Sequence, residues 1–449
     1  MRVHYHTFGC KANQYDTERM RQEGEARGAR STPERDDARL FVVNTCTVTN
    51  QADAEARRFI RRLRRENPDA DIVVAGCSAA LKPDTYRGMA GVVDVVPGHD
   101  PVAVATAVQS AAGGASPGSG LTRLELRTSL DRIDTEPIGG ELLRRRVGAS
   151  RGWLKVQDGC DRKCSFCATR LARGASRSRP VDEVVAEARL LARSHAELVV
   201  TGIHIGHYGR DLPGGTTLSA LCATLLDAVP DVRIRLGSIE ATEVDDELLD
   251  LLEGSHGHLA PHLHMPVQSG ADPVLRRMRR WHTREQYRAR ALEIAERVQP
   301  LGLGADVITG FPGETEADHQ ATVALVEELP FTYLHVFPFS PREDTVAADL
   351  SDPVPQRIAG ERARALRELG HRKGAAYRRG RSGQRADVVA EGDGGTGLTG
   401  DYLRVEIRRE ATPLGVSEDG APGLLEGTLL VEGDDLYIVA PREIAGIRP

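Results

Sequence analysis

Three features of the sequence predict an α/β protein of several domains. At 449 residues the chain exceeds what one ordinary core holds. Short apolar runs alternate with amphipathic helical stretches over most of its length, the pattern of a parallel sheet covered by helices. Beyond about residue 379 that alternation gives way to short strands between Gly- and Asp-rich turns, the signature of a small all-β domain. Hydrophobic residues make up 40% and charged residues 28%, a globular balance, and the 4% aromatic share leaves the cores to Val, Leu, Ile and Ala.

The first domain, 1–110, carries strands at Val3–Thr7, Leu40–Val43 and Ile72–Ala75 and an amphipathic helix over Asp53–Glu66. A linker spans 111–149; Ala111–Gly120 in particular has the composition of flexible chain. The domain 150–378 has six strands, Trp153–Gln157, Leu198–Thr201, Val232–Leu236, His262–Met265, Gly304–Ile308 and Tyr333–Phe337. Helical patterns separate them at Val181–Ala192, Leu218–Val229, Asp245–Leu252, Arg284–Val298 and Glu316–Glu328. Six β/α units make an open parallel sheet or a (β/α)6 partial barrel, with functional groups at the carboxyl ends of the strands. A basic helical segment, 356–379, follows. The last domain, 379–449, has strands at Val388–Ala390, Tyr402–Ile407, Thr428–Val431 and Leu436–Val439 and reads as an OB-like barrel.

No stretch of about 18 apolar residues exists to span a membrane, and the first six residues lack a signal peptide's apolar run. A cytoplasmic protein is expected. In that setting seven cysteines point to metal ligands or buried small residues rather than disulfides. The net charge of −6 suggests no nucleic-acid partner, but 356–385 holds ten Lys or Arg against two Glu. Such a patch neutralises phosphates whatever the global charge.

Cys160, Cys164 and Cys167 follow the first strand of the second domain with spacing C-x3-C-x2-C. Thiolates suit iron–sulfur clusters, which usually take four cysteines, so three leave one iron of a cubane open to a substrate. The competing reading is a zinc site of three cysteines completed by a distant His. Cys10, Cys46 and Cys77 each follow a strand of the first domain; if those strands are parallel, the thiols converge on one sheet edge. Three scattered buried cysteines are the alternative. Cys222 lies in an apolar helix and reads as core.

The motif C-x3-C-x-Φ-C resembles the signature of radical S-adenosylmethionine enzymes. The order of a three-cysteine N-terminal domain, this radical domain and a small β-domain resembles the methylthiotransferase family across nearly the whole chain. The likeness extends to Lys155–Cys160, Arg173-Gly174, Ser178-Arg179, Ser238–Glu240, His264–Gly270 and Asp306–Glu314, and to Gly397–Tyr402 in the β-domain, which the family uses as an RNA-binding TRAM module. Ala168–Leu171 departs from the family, which has apolar residues and a Pro there. The resemblance implies two [4Fe–4S] clusters, one on each cysteine triad, with S-adenosylmethionine chelated by the open iron of Cys160, Cys164 and Cys167. Phe166 is placed near the adenine of that cofactor, and Glu240, Gln268, Ser269, Gly310 and Glu314 are candidate cofactor contacts; turn-making glycines are the alternative for Gly310. Arg362, Arg364, Arg367, Arg372 and Lys373 are candidate RNA contacts. His204 and His207 carry no assignment.

Gly9–Glu18 and Asn44–Thr49 are similar to the branch that acts on N6-threonylcarbamoyladenosine at position 37 of the tRNA anticodon loop. The branches acting on isopentenyladenosine-37 and on an aspartate of ribosomal protein S12 remain as alternatives, as does a non-catalytic, metal-stapled RNA-binding protein. The target carbon, C2 of an adenine, carries an unactivated C–H bond, which neither acid–base nor nucleophilic chemistry opens, so a cofactor-borne radical is required. The expected partners are tRNA, a reducing electron-donor protein and a source of sulfur.

Overall fold

The computed structural model describes residues 1–47, 49–112, 142–392, 394–408, 424–433 and 435–444. They fall into two compact units, one of Met1–Leu143, Gln157–Ser178 and Ser340–Ala348, the other of Arg144–Val156, Arg179–Phe339 and Asp349–Pro449. The units cut across the domain borders expected at 110, 149 and 378.

The first unit begins with β1 (Arg2–Thr7), α1 (Lys11–Ala26), β2 (Arg30–Ser31), β3 (Leu40–Thr45), α2 (Asn50–Glu66), β4 (Asp71–Gly76), α3 (Cys77–Leu81), α4 (Pro83–Arg87), β5 (Val92–Val95) and α5 (Pro101–Ala112). Its sheet is parallel throughout, in the order β2-β1-β3-β4-β5. Side chains alternate across a strand, so the unbroken run Leu40-Phe41-Val42-Val43 feeds both faces. Phe41 and Val43 meet Phe59, Ile60 and Leu63 of α2; Leu40 and Val42 share the other core with Met20 of α1 and Val104 and Val108 of α5. Helix α2 starts three residues before the expected Asp53 because the Thr49 hydroxyl caps it, accepting from Ala52 N. Helix α1 was not anticipated. It buries Asn13, Asp16 and Thr17 beside Tyr15 and Met20, so its inward face lacks the apolar period by which helices are read.

β6 (Arg151–Lys155) opens the second unit, and the chain then returns to the first for β7 (Gln157–Asp158), α6 (Thr169–Arg173) and β8 (Arg177–Ser178), with β7 and β8 antiparallel. The second unit continues with α7 (Val181–Ala192), β9 (Glu197–Thr201), α8 (Leu218–Ala228), β10 (Arg233–Leu236), α9 (Asp246–Gly254), β11 (His262–His264), α10 (Asp272–Arg277), α11 (Arg284–Arg297), β12 (Gly302–Thr309), α12 (Glu316–Glu328) and β13 (Tyr333–Pro338). Two parallel trios, β6-β9-β10 and β11-β12-β13, are joined by parallel bridges at Ile234–Leu259 and Ser238–His264. The six strands thus follow chain order without the reversal of a doubly wound sheet, which is barrel topology.

Helix α13 (Gln356–Gly380) leads to β14 (Arg385–Glu391), β15 (Thr396–Thr399), β16 (Arg404–Arg408), β17 (Leu424–Glu432) and β18 (Asp435–Ile444), a closed barrel in the order β14-β15-β16-β18-β17. Val388, Val405, Leu429 and Ile438 lie in its core. The strand expected from Tyr402 starts only at Arg404. Tyr402 sits at φ +68°, outside any strand geometry, and its ring stacks on His262 with centroids 4.2 Å apart. Beneath it, Arg233 donates to Asp387 Oδ2 (2.5 Å) and the Leu398 carbonyl (2.9 Å), and Arg235 to the carbonyls of Gly400 (2.8 Å) and Thr399 (2.9 Å). Glu197 lies between the two guanidiniums; burial pushes its carboxyl up, but Arg235, Arg233 and Arg151 together hold it well below the usual range.

Of the expected linker, Ala111 and Ala112 close α5, and 113–120 lies outside the described residues. Arg146 is seated in the second unit, its backbone N–H on His195 Nε2 (3.0 Å) and its guanidinium 4.2 Å from the Trp153 ring.

Candidate functional site

In a parallel sheet ordered 2-1-3-4-5 the chain departs to opposite sides between the first and third strands, and the crevice there is where ligands bind. Cys10 follows β1 and Cys46 follows β3, the two strands that flank this point, and Cys77 follows the adjoining β4. Tight turns bring them in. Gly9 and Gly76 have φ of +97° and +99°, and a Cβ at Gly9 would stand 2.5 Å from Cys46 Sγ. The three thiols feel one another: burial pushes Cys77 up to about 12, Arg173 opposes the rise, and Cys10 and Cys46 add to it.

The polar residues of α1 support these loops. Buried Asn13 donates to the carbonyls of Phe8 and Thr45, both 2.9 Å, and accepts from Arg173 Nη2 at 2.5 Å. Asn44 donates to the Asn13 carbonyl (2.9 Å) and to Thr17 Oγ1 (3.0 Å). Arg173 is buried and also donates to Asp16 (2.9 Å) and to both oxygens of Asp158 (2.9 and 3.0 Å). His99 Nε2 lies 3.4 Å from Cys77 Sγ.

The second triad rides on the hairpin between β7 and β8. Gln157 closes its base by donating to the carbonyls of Asp158 and Gly159 and to Ser176 Oγ at 2.7 to 2.9 Å. Gly159 has φ +68°, and any Cβ there would collide with the Ala175 carbonyl. Cys160 N donates to the Gly174 carbonyl (3.1 Å) and Cys167 N to that of Cys164 (3.3 Å). Burial pushes the Cys160 thiol up to about 12, with the Arg162 backbone N–H lowering it and Cys167 and Cys164 raising it. The unusual stretch Ala168–Leu171 begins α6, and Thr169 N donates to Cys167 Sγ (3.4 Å), a role that a proline at that position would forfeit. Phe166 is half-buried in this loop.

A nearby segment ties both loops. Arg342 donates to Asn50 Oδ1 (2.5 Å) and to Thr47 Oγ1, the Pro341 carbonyl accepts from Asn50 (2.7 Å), and Ala347 N donates to the Ser165 carbonyl (2.8 Å).

Both triads suit four-iron clusters better than single ions. Thiolates about 2.3 Å from one zinc lie within about 4 Å of each other, whereas a cubane carries each thiolate on a different iron. Among the described residues, the groups whose donor atoms all fall within 4.8 Å of one another are His204–His207–Glu243 and His264–Asp306–His335; neither cysteine triad is one of them. Cluster iron also supplies the positive charge that would keep thiols of raised pKa deprotonated. Cys222 is buried in α8, as expected of a core residue.

The expected cofactor contacts of the second unit lie after its strands. Glu240 is buried against Arg280; burial raises its carboxyl and Arg280 lowers it. Gln268, at φ +65°, bridges the end of β12, its N–H on the Asp306 carbonyl and its carbonyl accepting from Ile308 N, both 2.9 Å. Ser269 is buried, and its hydroxyl accepts from Ala271 N (3.2 Å). Gly310 N donates to Glu314 (2.5 Å), which also accepts from Arg362 (2.8 Å). Ser269 and Gly310 are thus engaged in holding turns.

Helix α13 divides the expected RNA contacts. Arg362 is buried on Glu314 and Glu316; Lys373 is half-buried and donates to the Glu327 carbonyl (2.8 Å), while Arg367 is exposed and donates to the Val336 carbonyl (2.9 Å). Arg364 and Arg372 are exposed.

Residues 2–98 match the uncharacterized protein family UPF0004, and residues 154–326 match the radical SAM superfamily. The chain is 36% identical to the threonylcarbamoyladenosine tRNA methylthiotransferase MtaB of Rickettsia prowazekii, over 86% of each chain. It is also 36% identical to that of Bacillus subtilis strain 168, over 84% of this chain and 81% of that one. Relatives named tRNA-2-methylthio-N(6)-dimethylallyladenosine synthase match at 33 to 34%. Among solved structures, the radical S-adenosylmethionine methyltransferase TsrM from Kitasatospora setae shares the fold, with a TM-score of 0.57 at 18% identity over 77% of each chain. Two cysteine triads at strand ends, both matched regions and this breadth of identity place the chain in the radical S-adenosylmethionine methylthiotransferase family.

Proposed function

We propose that this protein installs a methylthio group on C2 of N6-threonylcarbamoyladenosine at position 37 of tRNA. What carries the reading is the presence, in a chain whose relatives bear that activity in their names, of two separate three-cysteine groups, each one ligand short of a cubane's four. Cys160, Cys164 and Cys167 would hold the cluster that binds S-adenosylmethionine, which on reduction supplies the 5′-deoxyadenosyl radical able to attack an unactivated C–H bond. Cys10, Cys46 and Cys77 would hold the second cluster, whose open position suits sulfur to be methylated and transferred. The Gln157 clasp and Gly159 turn fix the first loop, while Asn13, Asn44 and Arg173 fix the second. The closed C-terminal barrel would serve as the RNA-binding module, with Arg364 and Arg372 of α13 offering charge to phosphates. A base within a folded tRNA must be unstacked for this chemistry, which calls for such an appendage. An electron-donor protein would supply the reducing equivalents, and a cytoplasmic setting, where tRNA is at hand, suits the reaction.

Mass spectrometry of nucleosides from tRNA of a deletion strain tests the reading. The methylthiolated threonylcarbamoyladenosine should vanish and its unmethylthiolated precursor accumulate. Selective loss of methylthiolated isopentenyladenosine would move the chain to the branch of its dimethylallyladenosine relatives, and an unmodified S12 aspartate with normal tRNA would make the substrate a protein.

A further inference from the structure

The six strands leave the lumen of the partial barrel open beyond β13, its last member. Alternate residues of a strand face opposite ways. Leu334 abuts Gly370 of α13, where a Cβ would stand 3.2 Å from its Cδ1, so Tyr333, His335 and Phe337 take the other, lumenal face. There a row of polar groups runs across β11, β12 and β13. Tyr333 Oη lies 2.9 Å from His262 Nε2 and 3.0 Å from His264 Nδ1, and Asp306 Oδ1 lies 3.1 Å from His264 Nε2 and 3.2 Å from His335 Nδ1. Burial pushes the Asp306 carboxyl up, but its bonds to His264 and His335 outweigh this and hold it below the usual range.

The row ends at an open group. His264 has both ring nitrogens engaged. The side chain of His335 is 55% exposed, and its Nε2 meets no hydrogen-bond partner among the described residues. Phe337, two residues on, is 43% exposed, a large apolar ring left uncovered on the same face. Several other basic groups after the strands are taken: Arg280 by Glu240 and the Pro266 carbonyl, Arg277 by the Pro312 carbonyl, His204 and His207 by Glu243.

We propose that His335 contacts the polar substituent on N6 of the target adenine and sets the preference for it, with Asp306 as its positioning residue and Phe337 covering adjacent apolar surface of the substrate. The proposal rests on the threonylcarbamoyladenosine reading above. With Nδ1 donating to Asp306, Nε2 accepts from a hydroxyl or ureido N–H when the ring is neutral and donates to a carboxylate when it is protonated. A threonylcarbamoyl group has all three. An isopentenyl group has none and would strip water from the imidazole without replacing it, the kind of mismatch that discriminates strongly.

The test measures kcat and KM of the reconstituted holoenzyme, and its affinity, with tRNA carrying threonylcarbamoyladenosine, isopentenyladenosine or unmodified adenosine at position 37. The wild type should favour the first. His335→Leu should raise KM for that tRNA about tenfold or more and bring its affinity down to that of unmodified tRNA, an internal reference that a general folding defect would lower equally. His335→Asn keeps a donor for Asp306 but has no group at the Nε2 position, so it should lose the same preference while retaining wild-type thermal stability. Preference kept in both variants overturns the proposal. A wild type that favours isopentenyladenosine overturns instead the substrate reading on which it rests.

Discussion

Arg173 carries more charge compensation than any other residue near the cysteine loops. One buried guanidinium satisfies Asp158, which precedes Gly159 and Cys160, together with Asp16 and Asn13 of α1, and it lowers the Cys77 thiol. Removing one partner from such a buried set leaves charges uncompensated, at a cost of about 3–5 kcal/mol. Arg173→Met should therefore destabilise the holoenzyme by about that amount in anaerobic denaturant unfolding. Arg173→Lys should recover little, because an ammonium cannot span two carboxylates and an amide as the planar fork does. A loss under about 1 kcal/mol in Arg173→Met would show that the carboxylates find other partners. The grouping of six cysteines into two loop regions was legible in the sequence because it is marked locally, three by mutual spacing and three by following an apolar run. Arg173 and Asp16 stood only inside stretches that resemble the family, with no sign that they meet, and His99 was not singled out. Arg173 and Asp16 are 157 positions apart, and nothing in either neighbourhood marks the pairing. His99 had a faint signal, since it follows Gly98 just beyond β5 as the cysteines follow their strands.

At the level of elements, α13 shows what a charge run conceals. Its extent was readable almost to the residue, but its orientation follows from Ala359, Ala363, Leu366, Leu369 and Gly370, a buried stripe at helical spacing. Arg362 lies on that stripe and is buried with it, whereas Arg364 and Arg372 lie off it. Replacing Arg364 and Arg372 together by Glu should weaken tRNA binding and lower the slope of log affinity against log salt by about 2, measured from about 50 to about 200 mM salt, without lowering thermal stability. Arg362→Ala should do the reverse, destabilising the fold by stranding Glu314 while leaving the salt slope in place. An unchanged slope in the double variant would make the exposed arginines an ordinary solvated face. The missed elements have the same kind of cause. α1 turns polar residues inward, and β15 offers only Leu398 as a large apolar side chain.

For the whole molecule, alternation along the sequence was enough to give six β/α units and a separate β-domain, because each rests on local periodicity. How distant segments join was not, because that depends on side chains meeting across the fold. In the second unit the joint between the closed barrel and the parallel strands is electrostatic, with Glu197 balancing Arg233 and Arg235 while both reach carbonyls of β15 and the turn after it. Glu197→Gln should cost about 3–5 kcal/mol and loosen the C-terminal barrel first, seen as early proteolysis after residue 380 ahead of global unfolding; simultaneous cleavage throughout would show that the joint is held by packing instead. In the first unit the joint is the short segment Ser340–Ala348, which bonds Thr47 and Asn50 beside Cys46 and Ser165 beside Cys164. Translation runs from the amino end, so the cysteines at 10, 46 and 77 leave the ribosome long before this segment is made. Neither loop acquires its full set of contacts until residue 348 has been synthesised, and a nascent or truncated chain that stops short of it displays all six thiols without the tie between their loops. If the two triads hold the clusters proposed here, the contacts that tie their loops together become available only late in synthesis.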